Sequence, residues 1–291
     1  MIELNTIEAL RKQVAEWRQA GECIGFVPTM GNLHGGHLSL VDEARARSDR
    51  VIVSIFVNPT QFTPGEDFEA YPRTWEADCA ALREHNSDLV FAPSVEEIYP
   101  DGPALRTRVE VPALNDILCG ASRPGHFTGV ATVVAKLLNI VQPDLAVFGL
   151  KDYQQLMVIR HMVRDLSLPV EIVGGPVARE PSGLAMSSRN VYLTDAEREV
   201  APALYATLCV IAEQLKAGEH NLERLTAAGM KAISQAGMKP DYLEIRRAVD
   251  LMPAGVGDTE LVIPAAAYLG RARLIDNIRL TLPAPGLQAS A

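Results

Sequence analysis

Short apolar runs alternate with amphipathic stretches along the first two thirds of the chain. Five apolar runs predict buried strands, at residues 24–27, 51–57, 89–92, 145–148 and 170–173. The stretches between them predict helices, because apolar residues recur every three or four positions at about 7–20, 38–44, 75–85, 129–141 and 153–164. This alternation predicts an α/β fold with a Rossmann-like, doubly wound parallel sheet.

The ends of several predicted elements carry recognisable signals. Asn5-Thr6-Ile7-Glu8 is typical of a capping box in front of the first helix, and Thr194-Asp195-Ala196-Glu197 is typical of one that opens a long helix. Gly174-Gly175-Pro176 is a candidate hinge, after which the pattern changes.

The last third of the chain predicts a second domain. A further helix at about 221–236 precedes three extended runs, at 242–246, 261–267 and 273–279. Pro264 would put the middle run at a sheet edge or a bulge. Helices followed by successive strands predict a smaller α+β domain with a mostly antiparallel sheet, so we assign residues 1–176 and 177–291 to two domains.

Composition and charge narrow the classes of function. The 291 residues are 48% hydrophobic and 22% charged, as in globular proteins, and 27 basic against 36 acidic side chains leave a net charge of −9. An acidic chain without a Lys/Arg-rich run disfavours nucleic acid as a partner. No apolar stretch approaches 18 residues and no secretory signal is visible, so we expect no membrane span and a cytoplasmic location. The four scattered cysteines are expected to be thiols.

The turn after the first predicted strand carries the strongest functional signal. Pro28-Thr29-Met30-Gly31-Asn32-Leu33-His34-Gly35-Gly36-His37 leads from that strand directly into a helix. Ligands bind at the carboxyl ends of strands in such sheets, and a helix N-terminus there offers unpaired N–H groups to an anion. Gly35 and Gly36 let the backbone approach a phosphate, and imidazoles three residues apart can donate hydrogen bonds to it.

Other interpretations of this turn exist. Gly31 and Gly36 have the glycine spacing of a P-loop, but His37-Leu38 stands where that motif requires Lys-Ser/Thr. His34 and His37 could hold a metal ion, although no third ligand lies close in sequence. A glycine-rich turn can also serve only to reverse the chain. Two histidines in a strand–turn–helix context favour phosphate binding.

The His34-x-x-His37 element resembles the HIGH signature of class I aminoacyl-tRNA synthetases and nucleotidylyltransferases. The longer string resembles the pantoate–β-alanine ligase family, as do four later motifs, so the resemblance spans residues 24–190. It implies an ATP site that includes Met30, Gly31, Asn32, Leu33, His34, Gly35, Gly36 and His37.

Two further loops are candidates for binding a small polar substrate. Asn58 and Gln61, after the second strand, are neutral hydrogen-bonding residues suited to hydroxyl groups, although an Asn-Pro turn with a solvated glutamine is the plainer alternative. Arg123 and His126 precede a helix expected near residue 130 and could attract a carboxylate, although an exposed loop arginine is common. The resemblance implies that Gln61 contacts pantoate beside the β-alanine site and that the Arg123–His126 loop lies near the same cavity.

The segment after the fourth strand combines a cation, a carboxylate and an amide. Lys151 suits a phosphate, while Asp152 can cap a helix, bind a ribose or hold Mg²⁺. Gln155 lies four residues after Lys151, on the same face of the predicted helix. The resemblance implies that Gln155 binds pantoate and that the ATP site includes Gly149, Leu150, Lys151 and Asp152.

A cluster of hydrogen-bond donors follows the candidate hinge. Ser187, Ser188 and Arg189 lie on a predicted loop that could also be an ordinary polar connector. The loop is similar to the KMSKS loop of the synthetases, which closes over a triphosphate. The resemblance implies ATP binding by Ala178, Met186, Ser187, Ser188 and Arg189.

The family resemblance implies ATP-dependent condensation of pantoate with β-alanine through a pantoyl adenylate, with Mg²⁺. The residues expected to act in catalysis are His34, His37, Lys151 and Arg189. Only small-molecule substrates and a second copy of the chain, as a homodimer, are expected as partners. Two alternatives stay open: a nucleotidylyltransferase that stops after adenylyl transfer, and a non-catalytic nucleotide-binding module. The acidic charge disfavours a tRNA synthetase.

Overall fold

The computed structural model describes residues 1–283 except 64, 67, 105 and 256. The strands are β1 (Ile2–Leu4), β2 (Ile24–Thr29), β3 (Arg50–Ile55), β4 (Leu89–Phe91), β5 (Leu145–Gly149), β6 (Glu171–Gly175), β7 (Lys239–Leu243), β8 (Arg246–Arg247), β9 (Glu260–Leu269) and β10 (Ala272–Thr281). The helices are α1 (Ile7–Gln19), α2 (Gly35–Arg45), α3 (Trp75–Glu84), α4 (Val95–Ile98), α5 (Pro112–Asn115), α6 (Cys119–Ser122), α7 (His126–Val141), α8 (Tyr153–Asp165), α9 (Asp195–Val200), α10 (Ala203–Lys216) and α11 (Leu222–Gln235). Short 3₁₀ turns cover Pro59–Gln61, Leu150–Asp152 and Ser188–Tyr192.

A six-stranded sheet in the order β1-β4-β3-β2-β5-β6 confirms the predicted α/β class. Every pair in it is parallel. The strand order reverses between β2 and β5, because β3 and β4 lie on one side of β2 whereas β5 and β6 lie on the other. The carboxyl ends of β2 and β5 therefore flank the topological switch point, where ligands bind in such sheets.

Burial on both faces explains why the central strands lack a polar alternation. Phe26 and Val27 are successive residues of β2, so their side chains point to opposite faces, and both are fully buried. Helix α2 packs across β2, β3 and β5, with Leu40 and Val41 in the core that it covers. Gly175, in the candidate hinge, belongs to β6 and packs closely under α2, since an added Cβ there would lie 2.2 Å from Leu40 Cδ2.

The first helix is capped one residue later than the pattern predicts. Thr6, not Asn5, is the N-cap: its Oγ1 accepts a 3.3 Å hydrogen bond from the Ala9 N–H. Thr6 has the extended backbone that an N-cap requires, with φ −116° and ψ 145°.

The smaller antiparallel sheet has the order β10-β9-β7, with β8 also paired to β9. Helices α10 and α11 pack against each other and on this sheet, around a core that includes Leu208, Ile211 and Ile263. These elements confirm the predicted α+β character of the last third of the chain.

Two prolines change the details of this part. The Thr194–Glu197 capping box is present, but the expected long helix is divided into α9 and α10 at Pro202, which lacks the N–H needed to continue the helical bonds. Pro264 lies in the central strand β9, so the edge prediction is wrong. Its carbonyl accepts from the Glu244 N–H, so its missing donor faces the interval between β7 and β8.

The chain divides into two compact units. One comprises Met1–Leu150 and Gln154–Pro176, and the other comprises Lys151–Tyr153 and Val177–Ala291. Three residues of the Lys151 segment thus belong to the second unit although the residues on either side belong to the first. Among the described residues, no helix has the length and apolar character needed to span a membrane.

Candidate active site

The loop after β2 is tied to its neighbouring strand at the switch point. Thr29 Oγ1 donates to the Ser54 carbonyl at 2.7 Å and accepts from the Gly31 N–H at 3.2 Å. Gly31 and Asn32 have positive φ values of 79° and 50°, so the chain turns sharply between β2 and α2. This turn places Leu33, His34, Gly35 and Gly36 at the start of α2.

Asp78 of α3 stabilises this loop, and the sequence analysis missed it. Its carboxylate accepts from the backbone N–H groups of Asn32 (2.9 Å) and Leu33 (2.8 Å), and it is only 3% exposed. The available signal was its position: Asp78 shares the buried side of an amphipathic helix with Leu82, where an acidic residue needs partners.

The two histidines form the N-terminal cap of α2. His34 Nδ1 accepts from the Gly36 N–H at 3.1 Å, and His37 Nδ1 accepts from the His34 N–H at 3.4 Å. Their ring centroids lie 4.1 Å apart. Because an imidazolium has no acceptor, these bonds require neutral rings whose protons are on Nε2. The donor of each ring is then its Nε2–H, which suits a hydrogen bond to an anion and not the binding of a metal ion, since a metal needs a lone pair there.

The 3₁₀ turn after β3 contacts the loop after β2. Gln61 Nε2 donates to Met30 Sδ at 3.0 Å, which joins two predicted site residues. Asn58 is 1% exposed, and its amide binds Gln61 Oε1 (3.1 Å) and the Tyr99 hydroxyl (3.0 Å). The Asn58 amide is therefore hydrogen-bonded to protein groups, and its bond to Oε1 orients the Gln61 side chain. Gly129 permits α7 to approach this turn, because an added Cβ would lie 2.1 Å from the Thr60 carbonyl oxygen.

Arg123 and His126 are also occupied by protein groups. Arg123 forms a two-pronged ion pair with Glu66, at 2.6 and 2.8 Å. His126 is buried at the start of α7, four residues earlier than the predicted helix start, and its Nδ1 lies 2.6 Å from the Gln61 carbonyl oxygen. Its Nε2 lies 2.9 Å from Arg123 Nη1. Arg123 can only donate, so His126 accepts at Nε2 and donates from Nδ1.

Glu66 is a second residue that the sequence analysis missed. Burial alone would raise its pKa, but hydrogen bonds from the Arg123 guanidinium and the Thr63 N–H outweigh burial and lower the pKa to about 2. The carboxylate is therefore ionised at neutral pH. No pattern in the sequence marks Glu66 as the partner of an arginine 57 residues away.

The two adjacent glutamines of α8 have different environments. Gln154 is buried and bonds the carbonyls of Leu114 (2.8 Å) and Ile117 (2.7 Å) as well as the Cys119 N–H. Gln155 is half-buried, and its amide forms no hydrogen bond within the described part of the chain. Gln155 is therefore the glutamine available to a ligand.

Lys151 does not share a helical face with Gln155, because it lies in the 3₁₀ turn before α8, which follows Gly149 at the end of β5. Its Nζ is 3.9 Å from the Asp152 carboxylate, whose side chain is 44% exposed. Asn277 Nδ2 donates to the Lys151 carbonyl at 2.9 Å. Within the described residues, no three His, Cys, Asp or Glu side chains are arranged to hold a metal ion. Asp152 alone fits Mg²⁺ only if substrate phosphates supply most of the ligands.

The segment with the second set of predicted ATP ligands is a structured hairpin. Met186 N–H donates to the Ala178 carbonyl at 2.9 Å, and Arg179 pairs with Ala185. Ser187 Oγ caps the following 3₁₀ turn by accepting from the Arg189 N–H at 3.3 Å. Ser187, Ser188 and Arg189 are half-buried at the start of this turn.

The predicted residues thus form separate sets in the two units. The first unit joins Met30 to Gln61 and stacks His34 on His37. The second contains Lys151, Asp152 and the hairpin. Three predicted substrate ligands, Asn58, Arg123 and His126, have their polar groups engaged by protein partners.

Comparisons with known proteins agree with one another. A family model described as Pantoate-beta-alanine ligase matches residues 3–279. Pantothenate synthetase of Alkalilimnicola ehrlichii is 58% identical over 282 residues, which cover 97% of this chain and 99% of that protein. Pantothenate synthetase of Pseudomonas fluorescens is 56% identical over 285 residues, with 98% and 100% covered.

Solved structures give the same result. The crystal structure of pantothenate synthetase from Thermus thermophilus has a TM-score of 0.90 at 47% identity and covers 97% of this chain and 100% of that chain. Pantoate-beta-alanine ligase from Francisella tularensis, complexed with beta-gamma ATP and beta-alanine, has a TM-score of 0.77 at 40% identity, with 96% and 97% covered. The chain therefore belongs to the pantoate–β-alanine ligase family, a family of amide-forming ligases.

Proposed function

We propose that the protein uses ATP to condense pantoate with β-alanine, giving pantothenate, AMP and pyrophosphate. Membership in the family supports the ligation, and the Francisella relative complexed with ATP and β-alanine supports these two substrates. The observation that carries the proposal is the pair of stacked imidazoles that cap the start of α2 through their Nδ1 atoms, beside the switch point.

The first step forms a pantoyl adenylate. A carboxylate oxygen of pantoate attacks the α-phosphorus of ATP, the bond from that phosphorus to the bridging oxygen breaks, and pyrophosphate leaves with the bond electrons. Negative charge then increases on the leaving group. His34 and His37 stabilise it by donating from Nε2, and Lys151, Ser187, Ser188 and Arg189 bind the phosphates. Gly149, Leu150, Ala178 and Met186 complete the ATP site.

The second step forms the amide. The β-alanine nitrogen attacks the activated carbonyl carbon, the carbon–oxygen bond to AMP breaks, and the nitrogen loses a proton. Positioning and charge stabilisation suffice for both steps, and no covalent enzyme intermediate is needed.

Gln61 and Gln155 hold pantoate in this proposal. The Gln155 amide has no hydrogen-bond partner among the described residues, and the Gln61 amide keeps a second N–H beside the one it donates to Met30 Sδ. Asn58, Arg123 and His126 are assigned to positioning Gln61, because their polar groups contact the protein. Mg²⁺, when bound with ATP, neutralises phosphate charge, and Asp152 is the residue that would hold it.

The proposal also covers the roles of the two domains, the oligomeric state and the location in the cell. Residues 1–176 act as the catalytic domain and 177–291 as a smaller lid domain, in a cytoplasmic homodimer.

ATP–pyrophosphate exchange with and without pantoate tests the first step, and AMP release on addition of β-alanine tests the second. We expect exchange only with pantoate, and AMP only when β-alanine is present. Exchange without AMP release would indicate a nucleotidylyltransferase. ATP binding without pantoate-dependent exchange would indicate a non-catalytic module and would overturn the proposal.

A further inference from the structure

Two adjacent polar residues in the middle of β10 have no role in the proposed chemistry. Asp276 is 4% exposed and Asn277 is 5% exposed, in a strand whose other buried residues include Leu274 and Leu280. Burying two polar side chains is unfavourable unless both find partners. Their partners are the two segments of the second unit to which phosphate binding is assigned.

Asn277 holds the Lys151 turn. Its Nδ2 donates to the Lys151 carbonyl at 2.9 Å. Tyr153, which follows the turn as the first residue of α8, contacts the same unit: its hydroxyl donates to the Ala248 carbonyl at 2.7 Å, and the Arg279 guanidinium lies 5.6 Å from its ring centre. Asn277 and Arg279 share one face of β10, so the turn lies on that face.

Asp276 holds the hairpin that leads to Ser187. Its two carboxylate oxygens accept from Arg179 at 2.6 and 2.9 Å, and its side chain is only 3% exposed. Arg179 also donates to the Gly183 carbonyl at 3.1 Å and stacks on the Tyr205 ring at 3.5 Å. The base of the hairpin is therefore fixed by a fork-shaped, charge-assisted contact.

Successive residues of a strand point to opposite faces, so one short section of β10 holds two segments that are distant in sequence. β10 is paired with β9 along its whole length, from Ala272 to Thr281, which makes it a rigid support. We propose that Asp276 and Asn277 are positioning residues. They fix Lys151 and the Ser187–Arg189 segment relative to each other, so that both can bind one triphosphate. This inference rests on the proposed function.

A double-mutant cycle tests the Asn277 part. In pyrophosphate exchange, Asn277→Ala should raise the KM for ATP, or lower kcat, about tenfold, because the Lys151 carbonyl loses its donor and the turn shifts. The KM for pantoate should not change. In a Lys151→Ala background, Asn277→Ala should cost less than twofold, since the side chain that it positions is gone. Equal costs in both backgrounds would overturn the inference.

Asp276→Asn tests the other half with a matched control. It keeps the side-chain shape but loses the charge opposite Arg179. We expect the KM for ATP to rise, or kcat to fall, about tenfold, and the KM for pantoate to stay unchanged. Asp241→Asn breaks another ion pair of the same sheet, with Arg273 at 2.7 Å, in which the carboxylate is more exposed than that of Asp276. It should lower the Tm by less and leave the KM for ATP unchanged. Equal kinetic effects of the two variants would reduce Asp276 to a structural role and contradict the inference.

Two controls separate the possible failures. Asn277→Ser replaces Asn277→Ala in the cycle if the alanine variant does not fold, and the same criteria apply to it. If the wild-type protein shows no pantoate-dependent exchange, the proposed function fails. If the wild type exchanges normally and the variants show no ATP-specific loss, only the positioning inference fails.

Discussion

At the scale of single residues, burial and partners distinguish side chains that are identical in sequence. Gln154 and Gln155 are neighbours, yet the first bonds two carbonyls and an N–H group, whereas the amide of the second forms no hydrogen bond with any residue that the structure describes. Asn58 is likewise occupied by its protein partners. Polar residues at strand ends can therefore be predicted from sequence, but whether each one contacts substrate or supports a neighbour depends on distant segments.

His37→Ala should slow adenylate formation about 10²–10³-fold, because an Nε2–H donor to the developing charge is lost. Single-turnover formation of pyrophosphate measures this step. His37→Gln, whose amide nitrogen can take the place of Nε2, should recover part of the rate. His85→Ala is the control, since His85 pairs with Asp42 on the exposed surface. A loss below twofold for His37→Ala would remove this residue from the mechanism.

The glutamine pair offers a matched comparison. Gln155→Ala should raise the KM for pantoate about tenfold and leave the free energy of unfolding almost unchanged, because it loses a substrate contact only. Gln154→Ala should instead lower the free energy of unfolding by about 1–3 kcal/mol, since buried backbone groups lose their partner. Steady-state kinetics and urea unfolding of both variants measure these effects. An unchanged pantoate KM in Gln155→Ala would contradict the assignment.

At the scale of elements, the periodic pattern predicted most helices and strands but not the contacts at their ends. Helix α7 begins at His126, and its first turn packs on the Pro59–Gln61 turn because Gly129 lacks a Cβ. With this early start, two residues predicted to bind substrate contact the protein instead: Arg123 pairs with Glu66, and His126 bonds the Gln61 carbonyl. The local sequence contains both loops but carries no signal that they meet.

The Glu66–Arg123 pair should give the protein a specific sensitivity to acid. The pKa of Glu66 is lowered from 4.5 to about 2, so the pair contributes fully above pH 4.5 and is lost as the pH falls toward 2. The free energy of unfolding should therefore fall between pH 7 and pH 3 in both proteins, but by about 1 kcal/mol less in Glu66→Gln than in the wild type, after allowance for solvent screening. Urea unfolding at both pH values measures the difference.

Glu43→Gln is the control for that experiment. Glu43 pairs with Arg47, four residues later, in an arrangement that solvent reaches. Its removal should leave the acid dependence of the wild type nearly intact. Parallel acid dependences for Glu66→Gln and the wild type would contradict the assigned ion pair.

At the scale of the whole molecule, the chain passes between its two compact units at Lys151–Tyr153 as well as at Val177. The predicted domain boundary at residue 176 therefore accounts for the passage at Val177 but not for the one at Lys151–Tyr153. Sequence order places Lys151 at the end of a strand of the first sheet, whereas the contacts of Lys151 and Tyr153 bind that turn to the second unit.

Loosening the second unit should expose this turn. Leu208→Ala removes a fully buried side chain from the second core and should cost about 2–5 kcal/mol. Amide hydrogen exchange should then accelerate at residues 151–153 together with β9 and β10, while β5 keeps its protection. Leu82→Ala, in the core of the first unit, is the control and should have the opposite distribution. Acceleration of 151–153 with β5 in the Leu208→Ala variant would contradict this division.

The sequence by itself determined the fold class, the family and the positions of the polar loops, because hydrophobic periodicity and turn chemistry are local properties of the chain. The tertiary structure decided which polar groups meet. The carboxylates of Asp78, Glu66 and Asp276 each bind groups between 45 and 97 residues away. Such contacts depend on how strands and helices pack, and no spacing rule along the chain encodes them.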